Sequence, residues 1–320
     1  MMTDNKKTQS PTIMKKKIIS FLTVALATAT LFTACKKDNA KGSEDHTAEA
    51  TLQADDQTSF STELDAAIND ANATLETEVG FNNRVQGLIC DATVTADTTS
   101  NPRTITIVYN GTNCVGNRTR TGTVKLSLAS GVQWKTPGAV LTVNVQNLKI
   151  TRARDNKSII INGTHTMTNV SGGLLFTLPA VGKITHTIAS SDMSVTFDDG
   201  SKRSWQVARK REFTYNNGVV VTITGTHTEG NLTNVAEWGL NRFGNAFTCS
   251  ITQPLVIRQD CNFRLVSGQI QHNGPVITAT TTFGLDATGK ETGCPGTGNY
   301  FFKIDWSFNA GRTNTLILPY

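Results

Sequence analysis

The chain is poor in charged residues. They make up only 17% of it, and its 30 Lys and Arg residues against 25 Asp and Glu residues give a net charge of +5. Proteins that bind nucleic acid usually concentrate basic residues in one stripe or patch. The sequence has no such concentration, so no nucleic-acid partner is expected.

The short motifs that identify common enzymes are also missing. There is no Gly-x-Ser-x-Gly nucleophile elbow, no phosphate-binding glycine loop of the Walker type, and no carboxylate pair that stands out for glycoside hydrolysis. The sequence therefore indicates no catalytic residue and no cofactor. A hydrolase with an unfamiliar site stays open as an alternative.

Long apolar runs are absent except near the N-terminus. Met14 to Lys17 is basic, Ile18 to Leu31 is apolar or small, and Phe32 to Cys35 places small residues before a cysteine. The apolar run of roughly fourteen residues is shorter than the ~20 that span a bilayer as a helix. This order is typical of a secretory signal peptide over residues 1–34, and translation from Met14 would give standard proportions. It resembles a bacterial lipoprotein signal, which implies cleavage before Cys35 and lipidation of Cys35. The alternatives are an ordinary signal peptide with a chance cysteine or an uncleaved anchor.

Six cysteines are present, and none has the close paired spacing of a zinc site. In an exported chain such cysteines more often form disulfides. Cys249 lies two residues from Phe247 and from Ile251, so on a strand all three side chains would point to the same, apolar face. This predicts that Cys249 is buried and free. The expected bridges are Cys90–Cys114, which flanks a predicted hairpin, and Cys261–Cys294.

Beyond the signal, the sequence predicts three segments. Residues 35–57 are polar and predict a disordered, lipidated tether that cannot form a core. Residues 58–79 have apolar side chains at helical spacing; these are Phe60, Leu64, Ile68, Ala71, Leu75 and Val79. They predict an amphipathic helix packed against a single β domain over residues 80–320, with a partner-binding helix as the alternative.

The β domain is indicated by a period of two. Runs such as Thr104 to Tyr109 and Leu141 to Val145 alternate, and turn signals such as Asn216 to Gly218 separate them. The sequence Gly-Thr-His-Thr occurs at Gly163 and again at Gly225, which suggests two equivalent hairpins. The expected fold is therefore all-β and antiparallel, a hairpin-built β-sandwich or a strongly curved sheet, with one N-terminal amphipathic helix.

Several motifs resemble a family of uncharacterised outer-membrane lipoproteins from Bacteroidota. The resemblance covers most of the chain, from about Ile89 to Trp306, and its motifs are Ile107 to Cys114, Arg118 to Gly122, Gly244 to Phe247 and Ile251 to Leu255. It implies an all-β lipoprotein of the outer membrane and implies no activity.

Histidines are the best candidates for a metal site. His165, His186 and His227 share strand parity with apolar neighbours, so all three are expected to face inward. Three imidazoles from neighbouring strands would suit Zn²⁺. The more ordinary alternative is that each histidine lies where the core meets a polar rim and needs only a hydrogen-bond partner.

Arginines with inward parity suggest a second candidate site. Arg209 and Arg211 share parity with Trp205, and Arg152 and Arg154 are placed similarly on another strand. A buried guanidinium is costly unless it is paired or reaches water. One hypothesis is a polar pocket that binds an anionic or sugar ligand, with Trp205 as its stacking surface. The alternatives are arginines that reach solvent at a sheet edge, or a bulge that turns them outward.

These features together predict a lipid-anchored protein of the outer membrane, facing the periplasm or the cell surface. Its expected role is a non-enzymatic structural or binding module. Its expected partners are membrane lipid, through Cys35, and a glycan or protein ligand. A carrier that shelters an apolar ligand between sheet and helix is an alternative from a different class; it would need a ligand-sized apolar cavity.

Overall fold

The computed structural model describes residues 47–76, 89–190, 192–261, 263–275, 277–294, 298–308 and 313–320. One long helix precedes a succession of antiparallel strands, and the described residues from 47 to 320 form one compact unit. The expected all-β antiparallel fold with one long N-terminal helix is confirmed. The predicted signal peptide and Cys35 lie outside the described residues.

Within the described ranges, sixteen strands, two α-helices and two short 3-10 helices follow one another along the chain. The α-helices are α1 (Thr47–Glu76) and the one-turn α2 (Leu178–Val181), and the strands are β1 (Ala92–Asp97), β2 (Arg103–Thr112), β3 (Arg118–Leu128), β4 (Ala139–Arg152), β5 (Ser158–Asn169), β6 (Lys183–Ser190), β7 (Ser194–Thr196), β8 (Lys202–Tyr215), β9 (Val219–Gly225), β10 (His227–Glu229), β11 (Leu232–Leu240), β12 (Ala246–Arg258), β13 (Arg264–Asn273), β14 (Ile277–Leu285), β15 (Phe301–Phe308) and β16 (Thr313–Pro319).

All of these strands belong to one hydrogen-bonded sheet. Its main path runs β1-β2-β3-β4-β5-β6-β8-β11-β12-β13-β14-β15-β16. Strand β7 pairs with β5 and β8, β9 pairs with β8 and β12, and β10 pairs with β11. Most neighbours in the path are consecutive in the chain, as expected for a fold built from hairpins. Of the two predicted architectures, the single sheet corresponds to the strongly curved one.

Bulges interrupt the long strands and increase their curvature. In β4 the register shifts between Val145 and Leu148, and Asn147 has a φ of 48°. Opposite this bulge, Gly122 has a φ of +120°, and a Cβ there would lie 2.3 Å from the carbonyl oxygen of Asn147. Glycine is therefore required at this close approach. Similar register shifts occur between β11 and β12, β12 and β13, and β14 and β15. Bulges of this kind bend a strand and increase its twist.

Helix α1 lies inside the curve of the sheet. Arg118 on β3 and Glu237 on β11 both make hydrogen bonds to its side chains. Five strand spacings separate β3 from β11, which is roughly 24 Å across a flat sheet at ~4.8 Å per step. A helix is only about 10–12 Å wide. The sheet must therefore wrap around α1 for both strands to reach it.

Burial along α1 confirms this enclosure. An ordinary amphipathic helix buries one apolar stripe, whereas α1 buries polar residues as well as apolar ones. Its buried apolar residues include Phe60, Leu64 and Ile68, and its buried polar residues are Gln53, Asp56, Gln57, Glu63, Asn72 and Thr74. Between residues 51 and 76 the exposed positions are Thr62 and Asn69.

The helix also begins earlier than predicted. Residues 35–57 were expected to form a tether and residues 58–79 the helix, but α1 begins at Thr47. The tether prediction is therefore wrong for residues 47–57. Two of the charged side chains that suggested a disordered segment, Asp55 and Asp56, instead pair with arginines of the sheet and its turns. Residues 35–46 and 77–79 lie outside the described residues.

Two disulfides cross-link the strands and loops. They join Cys90 to Cys114 and Cys261 to Cys294, with Cα–Cα distances of 5.3 and 5.1 Å. Cys249 is free and buried. Both predicted pairings and the predicted state of Cys249 are confirmed.

Removing the first bridge with Cys90→Ser and Cys114→Ser is expected to lower the free energy of unfolding by about 3–4 kcal/mol, because the loop it closes is then unrestrained in the unfolded chain. Urea denaturation of the double variant against the unmodified chain measures this loss. Non-reducing peptide mapping that joined Cys249 to any partner would contradict the pairing.

Candidate functional site

The enclosed helix is held by a set of ion pairs that reach it from the sheet and its turns. Five arginines each meet an acidic residue of α1. The pairs and their N–O distances are Arg152–Asp55 at 2.6 Å, Arg242–Asp56 at 2.6 Å, Arg118–Glu63 at 2.6 Å, Arg209–Asp65 at 3.1 Å and Arg120–Asp70 at 2.7 Å. We call these residues the arginine–acid set. A buried ion pair is stable when further hydrogen bonds satisfy its remaining polar atoms.

Regular spacing on the helix places three of these acids on one side. Asp56, Glu63 and Asp70 recur at intervals of seven residues, close to two helical turns. All three are substantially desolvated, and burial raises the pKa of each carboxyl while its arginine opposes that rise. The seven-residue acidic spacing was the sequence signal that would have identified this side of the helix as sheet-facing.

Arg209 is the most buried arginine of the set. Its side chain is 4% exposed. Nη1 donates to both carboxylate oxygens of Asp65 at 3.1 Å, and Nη2 donates to the Ser61 hydroxyl at 2.9 Å and to Glu237. Burial alone would lower the pKa of Arg209, but the carboxylates of Asp65 and Glu237 outweigh it and raise the pKa. The guanidinium is therefore a buried link between sheet and helix, and only its Nε makes no hydrogen bond within the described structure.

Trp205 belongs to the core and does not form an open stacking surface. It is fully buried, with its ring centroid 4.9 Å from that of Phe60 and 4.5 Å from that of Phe247. Its indole N–H donates to Glu237 at 2.8 Å. The hypothesis that Trp205, Arg209 and Arg211 line a ligand pocket is not supported, because the helix already covers them.

Arg209 and Arg211 face the interior, as their alternation with apolar residues predicted. They contact side chains of α1, so they neither reach solvent at a sheet edge nor turn outward at a bulge. Arg211 is 2% exposed and donates from Nη2 to the Asn69 side-chain oxygen at 2.8 Å. Burial, aided by the charge of Arg209, lowers the pKa of Arg211. Arg152 is paired to the helix, and Arg154, 62% exposed, is the one that reaches solvent.

The three candidate metal-ligating histidines are not brought together. His165 lies opposite Ser190 on β6, while His186 lies opposite Asn169 on β5. The two positions on β5 are four residues apart, or roughly 13 Å along the strand. His227 stacks on Trp238 with ring centroids 4.0 Å apart. Among the described residues, the one group with ligand-like spacing is Asp260, Cys261 and Cys294, and its two sulfurs already form a disulfide.

A cleft lies where the first turns of α1 meet strands β12 to β14, and sequence reasoning did not find it. The space that it bounds, including the solvent at its mouth, is about 460 Å³, and its lining mixes side-chain amides with apolar side chains. Its lining residues are Glu49, Gln53, Ala54, Gln57, Asn241, Asn245, His272, Gly274, Pro275, Ile277, Ala279 and Thr281. Gln53 makes no side-chain hydrogen bond within the described structure, and neither does Gln57 Nε2.

Comparisons of the chain with protein-family models, curated proteins and solved structures find no match. Among the described residues, no helix is both long enough and apolar enough to cross a membrane. The function is therefore argued from the sequence and the geometry.

Proposed function

We propose that the chain is a lipid-anchored protein of the bacterial outer membrane that serves as a non-enzymatic binding module. The observation that carries this proposal is the order of basic, apolar and small residues before Cys35. That order is the signal layout of an exported protein, and the cysteine at its end is the residue that would receive the lipid.

The early start of α1 supports a close association with the membrane. Only residues 36–46 separate Cys35 from Thr47. Even fully extended, this length of chain spans at most about 40 Å at ~3.3–3.6 Å per residue. The β domain would therefore remain close to the lipid surface, facing the periplasm or the medium, where a glycan or protein ligand is the expected partner.

The interior favours a binding or structural role over the carrier. Phe60, Leu64 and Ile68 of α1 are at most 1% exposed and fill the space against the sheet. A carrier would need an apolar cavity in the space that these three side chains fill. The ion pairs of the arginine–acid set join helix to sheet, which is a structural task.

Replacing the proposed lipidation residue tests the anchor. We expect Cys35→Ser to lose incorporation of a radioactive fatty acid and to leave the membrane fraction, because the modified sulfur is absent. Cys249→Ala is the matched control, since it removes a buried thiol and should keep the label. An unlabelled wild-type chain, or a Cys35→Ser variant that kept the label, would contradict the lipid anchor.

A further inference from the structure

We infer that Arg211, His186 and Trp134 form an enclosed site for one small inorganic anion of the size of chloride. The site lies beneath α1, apart from the lipid anchor, and it goes beyond the proposed binding function. It differs from the open pocket considered for Trp205, because a single ion at this place is covered by the helix. The central observation is a buried guanidinium that forms no ion pair with a carboxylate of the described residues.

Arg211 carries this unpaired charge. It is 2% exposed, and within the described structure its one hydrogen bond runs from Nη2 to the Asn69 side-chain oxygen, while Nε and Nη1 have no partner. Asp65 acts on Arg211 only from a distance, because both of its carboxylate oxygens accept hydrogen bonds from Arg209. A guanidinium stays protonated in proteins, and a buried charge is costly unless it is paired. An anion beside Nε and Nη1 would supply the missing partner.

Three neighbouring strands bring polar side chains together at this point. Asn169 on β5 lies opposite His186 on β6, and His186 lies opposite Arg211 on β8. Directly opposed residues of antiparallel strands project to the same side, with Cβ atoms about 4.5–5.5 Å apart. All three residues are at most 2% exposed. They therefore form a polar row on the inner face of the sheet, within an otherwise apolar core.

Aromatic rings pack against this polar row. The ring centroids of Trp134 and Phe213 each lie 5.1 Å from that of His186. The Arg211 guanidinium lies 5.3 Å from the centroid of the Phe213 ring. Asn169 Nδ2 donates to the backbone carbonyl oxygen of Trp134 at 2.9 Å, which fixes the loop that carries the indole. In such apolar surroundings a hydrogen bond to a charge is stronger than it is in water.

The unused polar atoms of the row are mainly donors. Nε and Nη1 of Arg211 together carry three N–H bonds and Trp134 Nε1 carries one, and none of these is used within the described structure. His186 is neutral, since burial and the charge of Arg211 lower its pKa to about 3, so it offers one donor and one acceptor. The other unused acceptor is Oδ1 of Asn169. An excess of donors beside a positive charge favours an anion over water, which brings as many donors as acceptors.

Enclosure limits the size of the ion, and Asn69 marks its route of entry. Asn69 is exposed on α1 and is also the residue that binds Nη2 of Arg211. The guanidinium therefore lies one side chain below the surface. A chloride ion takes up about as much space as one water molecule, which is ~30 Å³ in the liquid. Phosphate and organic acids add several heavy atoms to that, so the site suits a single halide ion.

Thermal melting of the full chain in sodium chloride tests the site, with sodium gluconate holding the ionic strength constant because gluconate is too large to enter. A dissociation constant of about 10 mM would raise the melting temperature by roughly 3–5 °C at about 200 mM chloride. Arg211→Met keeps the apolar stem and removes the charge, so it should abolish this rise. Arg154→Met is the matched control, since it removes a guanidinium that is 62% exposed and should keep the rise.

A second variant and a second measurement locate the ion. Trp134→Phe keeps a buried ring and removes one donor, so it should weaken chloride binding about tenfold. Bromide replaces chloride at such sites and gives an anomalous signal in X-ray diffraction. Crystals of the full chain grown in sodium bromide should show one anomalous peak within hydrogen-bond distance of Nε or Nη1 of Arg211.

Three outcomes would overturn the anion site. They are a melting temperature that chloride raises no more than gluconate does, a rise that Arg211→Met retains in full, and bromide crystals that show only water beside Arg211. If Arg211→Met does not fold, the bromide peak and the chloride dependence of Trp134→Phe decide the question. None of these outcomes affects fatty-acid labelling at Cys35, so the anchor and the anion site are tested separately.

Discussion

Replacing Arg209 by methionine is expected to lower the free energy of unfolding by about 3–5 kcal/mol, the usual range when one member of a buried ion pair is removed. The change leaves Glu237, which is 1% exposed, without its cationic partner, and it also removes the donors to Asp65 and Ser61. The loss of stability therefore comes mainly from leaving the Glu237 carboxylate buried without a cationic partner. Urea denaturation followed by circular dichroism measures it.

Two further variants show whether burial is the cause. Arg154→Met removes a guanidinium that also contacts an acid of α1 but is 62% exposed, and exposed pairs contribute about 0–1 kcal/mol. The combination of Arg209→Met with Glu237→Gln removes both buried charges and should recover part of the loss. Equal effects of Arg209→Met and Arg154→Met would contradict this account of the arginine–acid set.

Acidification from pH 6.5 to pH 5 is the second large effect expected. Burial lowers the pKa of His165 and of His272 to about 4 and that of His186 to about 3. At His186 the charge of Arg211 lowers the pKa further, whereas Asp192 and Asp65 partly oppose the shift at His165. All three imidazoles are therefore neutral in the folded chain throughout this interval.

The sign of the pH effect follows from proton binding. Unfolded histidines titrate near pH 6.5, so below that value the unfolded chain binds more protons than the folded chain. The stability is present above pH 6.5 and is lost as the pH falls toward the folded-state values. The slope for each histidine rises from about 0.7 kcal/mol per pH unit at pH 6.5 toward ~1.4 at lower pH, which sums to roughly 5 kcal/mol for three between pH 6.5 and pH 5.

Carboxyls with raised pKa values, such as Glu63 and Asp70, act in the opposite direction. They reduce the loss near pH 5 more than near pH 6, since unfolded carboxyls titrate at about pH 4. Urea denaturation at several pH values measures the slope, and His165→Leu should reduce it by about one third. A stability that did not change with pH, or a slope that His165→Leu left intact, would contradict the prediction.

Local pattern predicted the strands and cysteines well. Alternation placed Leu141, Val143 and Val145 on the buried face, where the structure has them. It also placed Cys249 in the core and Arg209 facing inward. Such inferences depend on the two-residue period of a strand, which tertiary contacts do not change. The Cys90–Cys114 disulfide followed from its place beside a predicted hairpin.

Long-range partners could not be predicted from local pattern. Arg209 and its partner Asp65 are 144 residues apart, and Arg152 and Asp55 are 97 residues apart. Without these partners, Asp55 and Asp56 look like solvated charges. The prediction of a tether failed for that reason. The cleft depends on the meeting of Gln53 with strands more than 190 residues later, and no spacing rule connects them.

The enclosure of α1 also dictates an order of events when the chain is made. The helix is synthesised first, but Arg242 and Asn245, which close around its first turns, follow Asp56 and Glu49 by 186 and 196 residues. Contacts of such sequence separation form slowly, so α1 stays exposed to water until the strands that enclose it have formed. A strongly apolar helix would be prone to aggregate during that time. The carboxylates of α1 are hydrated before their arginine partners are in place, and hydrated charges oppose aggregation of the exposed helix. The charges that form ion pairs in the folded protein therefore also keep the partly folded chain soluble.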